Sequence, residues 1–199
     1  MIAVITGDII NSRKGETTEW LPLLKEILSA YGAFQKNWEI FRGDSFQLSL
    51  SPDKALLAAI HIKAGMKFQK ELDARLAIGI GEEDHNTGMV TEANGTAYIR
   101  SGECFEALKK QNLAIRTGEP VMDELLNLLF SLALLTMDNW SPLVADVIRL
   151  ALENPDKNQK ELAELLKRSP SSVNEALKRG GYDEVMEMNE FYKKQVVSL

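Results

Sequence analysis

The chain has 199 residues, of which 45% are hydrophobic and 26% charged, with a formal net charge of −6. That is the composition of a globular protein long enough to bury a core without staples, and the single cysteine, Cys104, forbids an internal disulfide and suits a reducing compartment. The negative balance argues against broad nonspecific affinity for nucleic acid, which needs an excess of Lys and Arg, but leaves room for a small basic patch.

Met1 runs directly into IAVITGDI with no basic n-region, so no secretory leader is expected. Ile2 to Thr6 is a continuous apolar run, the pattern of a buried central strand. IINSRKGETTE has loop composition, and Thr18 then caps a helix with Trp20, Leu23, Leu24, Ile27, Leu28 and Tyr31 on one face. Trp38 to Phe41, a Gly43-Asp44 turn and the alternating Phe46, Leu48 and Leu50 form a hairpin. Ser51-Pro52-Asp53 opens a second helix carrying Leu56, Leu57, Ile60, Ala64 and Phe68. Arg75 to Ile80 is a strand, followed by the polar loop EEDHNTG. A helix with Ala97, Ser101, Cys104, Phe105 and Leu108 on one face comes next, then a strand at Leu113 to Arg116. The core of this order is βαββαβ, which predicts an α/β (α+β) fold with a ferredoxin-like sheet.

From Pro120 the strand signals vanish. Val121 to Leu135 and Pro142 to Leu152 read as two helices. The first is apolar on nearly all sides, so its burial is expected, under the sheet or against a second subunit. The apolar stretch Leu125 to Leu135 is too short to span a bilayer, so no membrane contact and a cytoplasmic location are expected. Gln159 to Lys167 predicts a helix with Leu162, Ala163 and Leu166 inward. A turn at Ser169 to Ser172 leads to a further helix begun by Val173, Ala176 and Leu177, which is a helix-turn-helix pattern. The expected division is an α/β domain over 1–118, a connecting or dimerising helix over 119–140, and an all-α module over 141–199.

Asp8 and Asp44 carry the chemistry. Each follows a glycine and closes or interrupts a strand-forming run, so neighbouring strands would aim both carboxylates at one spot. With the Ile9 carbonyl they could hold a hard divalent ion, Mg2+ for example, and leave room for phosphate oxygens. Asn11, Ser12 and Arg13 precede a helix N-terminus, whose free N–H groups favour an anion. The plain alternative is that both aspartates are turn residues. His61 lies within a helix and His85 in an acidic loop, with no cysteine partners, so zinc is not expected. Cys104 falls on an apolar helix face and reads as core.

These residues have a family likeness. GDI, FRGDSFQLSL and LAIGIG, with NGTAYIRSGECFEAL downstream, resemble the nucleotidyl-cyclase-like fold of class III cyclases over Met1 to Arg116. With the helix-turn-helix tail added, the whole chain resembles the SatD family of bacterial proteins. In cyclases of this fold two aspartates hold the catalytic metals, and their counterparts here are Asp8 and Asp44. The cyclase pattern also has an Asn and an Arg that stabilise the transition state. Laid on Gly95 onward, this chain has Ile99 and Glu103 at those places. A carboxylate in place of the cation would abolish most charge stabilisation at phosphorus. Catalysis would then need a cation from Arg42, from Arg100 or from another subunit.

Over 141–199 there are nine Lys and Arg against ten Asp and Glu, but Lys167, Arg168, Lys178 and Arg179 outnumber Glu175 near the second helix of the pair. Ser171, Ser172 and Asn174 at its start are residue types that reach phosphates and base edges, with Lys178 and Arg179 beyond them. Contact with DNA and a purely structural helix pair are the two readings. Together these expectations describe a ligand-responsive regulator that binds a nucleotide or other phosphate and DNA, and that pairs as a homodimer as cyclase-like domains commonly do. A metal-dependent cyclase or phosphotransfer enzyme and a non-catalytic scaffold are the alternatives.

Overall fold

The structure, a computed structural model, describes residues 1–85 and 87–199; Asn86, in the polar loop expected after the fourth strand, lies outside the described residues. Strands β1 (Ile2–Ile10), β2 (Trp38–Phe41), β3 (Ser45–Leu50), β4 (Asp73–Gly81) and β5 (Leu113–Arg116) form a five-stranded sheet ordered β2-β3-β1-β4-β5. β1 runs antiparallel to β3 and to β4, β2 runs antiparallel to β3, and β5 lies parallel to β4. β1 is central and covered on both faces, which is why its sequence is continuously apolar rather than alternating. The register sets Asp8 opposite Ser45 on one side and Arg75 on the other.

The two faces of the sheet differ. Ala3, Ile5 and Ile9 join Phe46, Leu48, Leu76 and Ile78 beneath α1 (Thr17–Tyr31) and α2 (Pro52–Lys67). On the other face Val4 packs with Ala97 and Tyr98 of α3 (Thr96–Ala107), and the hydroxyls of Thr6 and Ser101 lie 3.0 Å apart. α3 approaches β4 so closely that a Cβ at Gly79 would strike the backbone of Ala97 and Ser101. It ends at Ala107, with Phe105 against the Arg75 guanidinium that pairs with Asp8.

α2 is buried without a break from Ala58 to Met66. It packs on α1, β1 and β4, and also on α5 (Pro142–Glu153) and α8 (Tyr182–Val196). One hydrophobic core therefore runs from Ala3 through Tyr192 to Val196, straight through the change expected between Gly118 and Ser141. α8 has no counterpart among the sequence expectations. It buries Val185, Asn189, Tyr192 and Val196, and the Tyr192 hydroxyl donates to the Pro52 carbonyl at 2.8 Å.

Two polar clusters tie the halves together. Lys63 Nζ, fully buried, lies 2.7 Å from Asp73 Oδ1 and 2.7 Å from Asp138 Oδ1, and Lys67 Nζ lies 3.2 Å from Asp73 Oδ2. The Tyr31 hydroxyl lies 3.1 Å from His61 Nδ1, whose Nε2 is 3.2 Å from Glu153 Oε1. Arg149 Nη1 donates to both oxygens of Glu153 at 2.8 Å. His61 is thus a buried structural residue joining α1, α2 and α5.

α4 (Pro120–Met137) is longer than expected, and the single chain covers only part of it. At 18 residues it is long and apolar enough, by length and composition, to cross a membrane, whereas the shorter stretch from Leu125 was not. Nor is it buried all round. Leu126, Phe130, Leu134 and Met137 are buried, while Val121, Leu125, Leu128, Leu132 and Leu135 remain exposed. The reason is its position along the edge strand β5. Asn127 accepts from the Ile115 N–H and donates to the Ile115 carbonyl, both at 2.9 Å, and so satisfies backbone groups that an edge strand would leave open. Only the side toward β5 and α8 is covered.

α6 (Gln159–Leu165) and α7 (Pro170–Arg179) pack on each other, and α7 packs on α5. Asn158 and Glu161 form a reciprocal capping box at the start of α6, and the Ser169 hydroxyl caps α7 by accepting from the Ser172 N–H.

Candidate functional site

Asp8 and Asp44 line one cleft of about 540 Å³ at one end of the sheet, together with Ile9, Asn11, Ser12 and Arg13. β1 brings Asp8 there, and the β2–β3 turn brings Asp44. Gly43 at φ 93° and Arg42 at φ 54° let that turn close, and the Ile9 N–H donates to the Asp44 carbonyl at 3.2 Å. After β1 the chain turns at Asn11, φ 60°, whose side-chain amide donates to the Glu71 carbonyl at 3.0 Å. Ser12 Oγ then donates to Asp44 Oδ2 at 2.5 Å, holding the loop against the hairpin.

Asp8 is not free to serve as an open ligand. Arg75 Nη2 donates to its Oδ2 at 2.8 Å and Arg75 Nε to its Oδ1 at 3.3 Å. The guanidinium is also held over the Phe105 ring, 4.4 Å from its centroid. A forked pair stacked on an aromatic ring is a pre-organised arrangement that arginine provides and lysine does not. Lys14, Lys109 and Asn112 complete the wall. Four cations (Arg13, Lys14, Arg75, Lys109) therefore face two carboxylates in the cleft, and its local balance is positive in a negative protein.

Two arginines expected near a ligand are elsewhere. Arg42 is exposed on the hairpin turn and does not line the cleft. Arg100 lies at the opposite end of the sheet, where its Nη1 donates to the carbonyls of Ile80 at 2.6 Å and Thr117 at 2.7 Å. The antiparallel pairing of β1 with β4 is the cause, since it carries the first turns of α3 away from Asp8. Ile99 is 53% exposed and Glu103 pairs with Arg116, so neither faces the cleft. Arg75, which opens the strand read from Arg75 to Ile80, pairs with Asp8. Lys109 and Asn112 had no local signal, because the loop before β5 reaches this end only through the parallel β4–β5 pairing.

In α7, Val173, Ala176 and Leu177 are buried. Ser171, Lys178 and Arg179 are exposed, and Ser172 and Asn174 half-buried. Lys178 and Arg179 also border a cavity of about 450 Å³ with Leu132 and Thr136 of α4 and Glu184 of α8. Burial pushes the Cys104 thiol up to about 11, which suits the core position read from the sequence. Among the described residues, no group of three or more His, Cys, Asp or Glu could hold a metal ion.

No curated protein matches the chain. The model of the SatD family matches residues 1–194, essentially its whole length, and the chain belongs to that family.

Proposed function

We propose that this SatD-family chain is a ligand-responsive regulator whose cleft binds the phosphate groups of a nucleotide or similar small molecule. The observation that carries this reading is the cleft itself, which Arg13, Lys14, Arg75 and Lys109 line together. An anion entering it meets the Arg75 guanidinium, the exposed Arg13, Lys14 and Lys109, and the loop that leads into α1. The strand order β2-β3-β1-β4, with α1 and α2 on one face, supports a ferredoxin-like, nucleotidyl-cyclase-type reading of this part of the chain. Under that reading α3, on the other face, and β5, at the β4 edge, are additions.

A resident divalent ion suits the site less well than an anion does. Asp8, Asp44 and the Ile9 carbonyl are the groups that would hold Mg2+, but both Asp8 oxygens are engaged by Arg75. An ion would have to displace that guanidinium first. The ion, where it takes part, is better placed to enter with the phosphates.

A second reading concerns α6 and α7. Their short connection, the inward Val173, Ala176 and Leu177, and the exposed Ser171, Lys178 and Arg179 support a DNA-reading helix-turn-helix. The pairing of such a module with a ligand cleft is what a regulator requires.

Calorimetric titration of the full chain with ATP, with and without Mg2+, tests the cleft. ATP should bind without metal, and Arg75→Met should weaken it at least about tenfold, or ~1.4 kcal/mol. Asp8→Asn should leave metal-free binding intact, since it removes a negative charge from an anion site. Binding that appears only with Mg2+ and vanishes in Asp8→Asn would replace the anion reading with a metal one. Absence of binding to ATP and to pyrophosphate at millimolar concentration would reject both.

A further inference from the structure

The exposed side of α4 has the spacing of a helix–helix seam. Val121, Leu125, Leu128, Leu132 and Leu135 are 81%, 39%, 56%, 55% and 71% exposed. They lie four, three, four and three residues apart, which is the 3.5-residue repeat of one helix laid along another. The core-facing stripe of the same helix is a different set, Leu126, Phe130, Leu134 and Met137, so folding of the single chain does not account for the outer one. From Leu125 to Met137 no charged residue interrupts it.

We infer that this face pairs with the same face of a second copy of the chain, with the two α4 helices antiparallel and Leu128 at the two-fold axis. Val121 and Leu135 lie seven residues either side of Leu128, and Leu125 and Leu132 three and four, so the antiparallel arrangement sets Val121 against Leu135 and brings Leu125 near Leu132 across the seam. Five aliphatic side chains per copy, flanked by Met188, Phe191, Glu184 and Glu187 of α8, remove on the order of 1,000 Å² of total surface, the lower bound for a specific interface. The antiparallel direction follows from charge. Glu119, Asp123 and Glu124 cluster at the N-terminal end of α4, and a parallel pair would bring both clusters, and both helix N-termini, together. A lipid surface is the less suitable occupant, because α4 carries no Lys or Arg, the residues with which an interfacial helix meets lipid headgroups.

Sedimentation equilibrium of the full chain tests the pairing, with twice the protomer mass of 22.2 kDa as the expected result. Leu128→Glu and Leu132→Glu lie on the solvent side of α4. Each should leave the far-UV circular dichroism unchanged and raise the dimer dissociation constant by tenfold or more, about 1.4 kcal/mol. Direction is read by oxidation: Leu128→Cys should give a disulfide-linked dimer and Val121→Cys should not, with Cys104 buried and unable to compete. Rapid linkage through Val121→Cys alone would overturn the antiparallel seam. So would a monomer at about 100 µM. A dimer indifferent to both Glu variants, or a monomer that floats with phosphatidylcholine vesicles, would likewise assign the stripe to something else.

Discussion

Arg75 shows how one side chain sets the chemistry of its surroundings. Stacked on Phe105 and forked onto Asp8, it turns a carboxylate that suits a cation into half of a fixed ion pair. Its neighbours Arg13, Lys14 and Lys109 then dominate the cleft. Lys63 has a comparable weight in the core. It is fully buried between Asp73 and Asp138, and removing one member of a buried ionic cluster strands the others. Lys63→Met should lower the unfolding free energy by about 3 kcal/mol in urea denaturation. Asp138→Asn should cost under about 1 kcal/mol, because that carboxylate is 37% exposed and Lys63 keeps Asp73. Equal losses from the two variants would show that Lys63 contributes packing rather than charge.

Among the elements, α5 is fastened to α1 and α2 through Glu153. Burial alone would raise the Glu153 pKa, but the His61 hydrogen bond and the Arg149 guanidinium together hold it below the ordinary carboxylate value. A depressed folded-state pKa means that the ionised form favours the fold. That contribution is present above the unfolded value of ~4.3 and is lost as pH falls through the folded one. Glu153→Gln should therefore cost roughly 1–3 kcal/mol at pH 7, with the deficit against wild type shrinking as the pH falls toward 3. Urea titrations at the two pH values measure it, and a deficit independent of pH would mean that only the shape of the side chain matters. α4 illustrates the opposite limit of sequence reading. Its apolar character was plain, yet which side would be covered depended on where β5 and α8 lay.

For the molecule as a whole, α2 is the common wall. Small residues such as Ala55, Ala58, Ala59 and Ala64 let α1, the sheet, α5 and α8 all approach it. A core continuous from Ala3 to Val196 predicts one cooperative unfolding transition, with calorimetric and van't Hoff enthalpies in agreement. It also predicts that residues 1–118 alone do not fold stably, because removing α5 and α8 bares the outer side of α2. Two separable melting transitions would show that the α/β part and the tail are independent units.

The sequence by itself determined the elements whose burial is local in origin. The apolar run of β1, the alternation of β3, the Pro-led start of α2 and the inward Val173, Ala176 and Leu177 of α7 are each legible because period and caps act within a few residues. Glycine and turn chemistry likewise marked Asp44 as a hairpin-turn residue, whereas Asp8 lies inside β1, which continues to Ile10. α8 went unread because its buried positions, Asn189 and Tyr192 among them, are spaced by Asp, Glu and Lys and resemble a solvated segment until α2 lies beneath them. Only the tertiary structure decided the site. The pairing of β1 with β4 put Arg75 on Asp8 and carried Arg100 to the far end, and the parallel seating of β5 delivered Lys109 and Asn112. Those placements depend on strand register between segments tens of residues apart, and no pattern inside either segment encodes it.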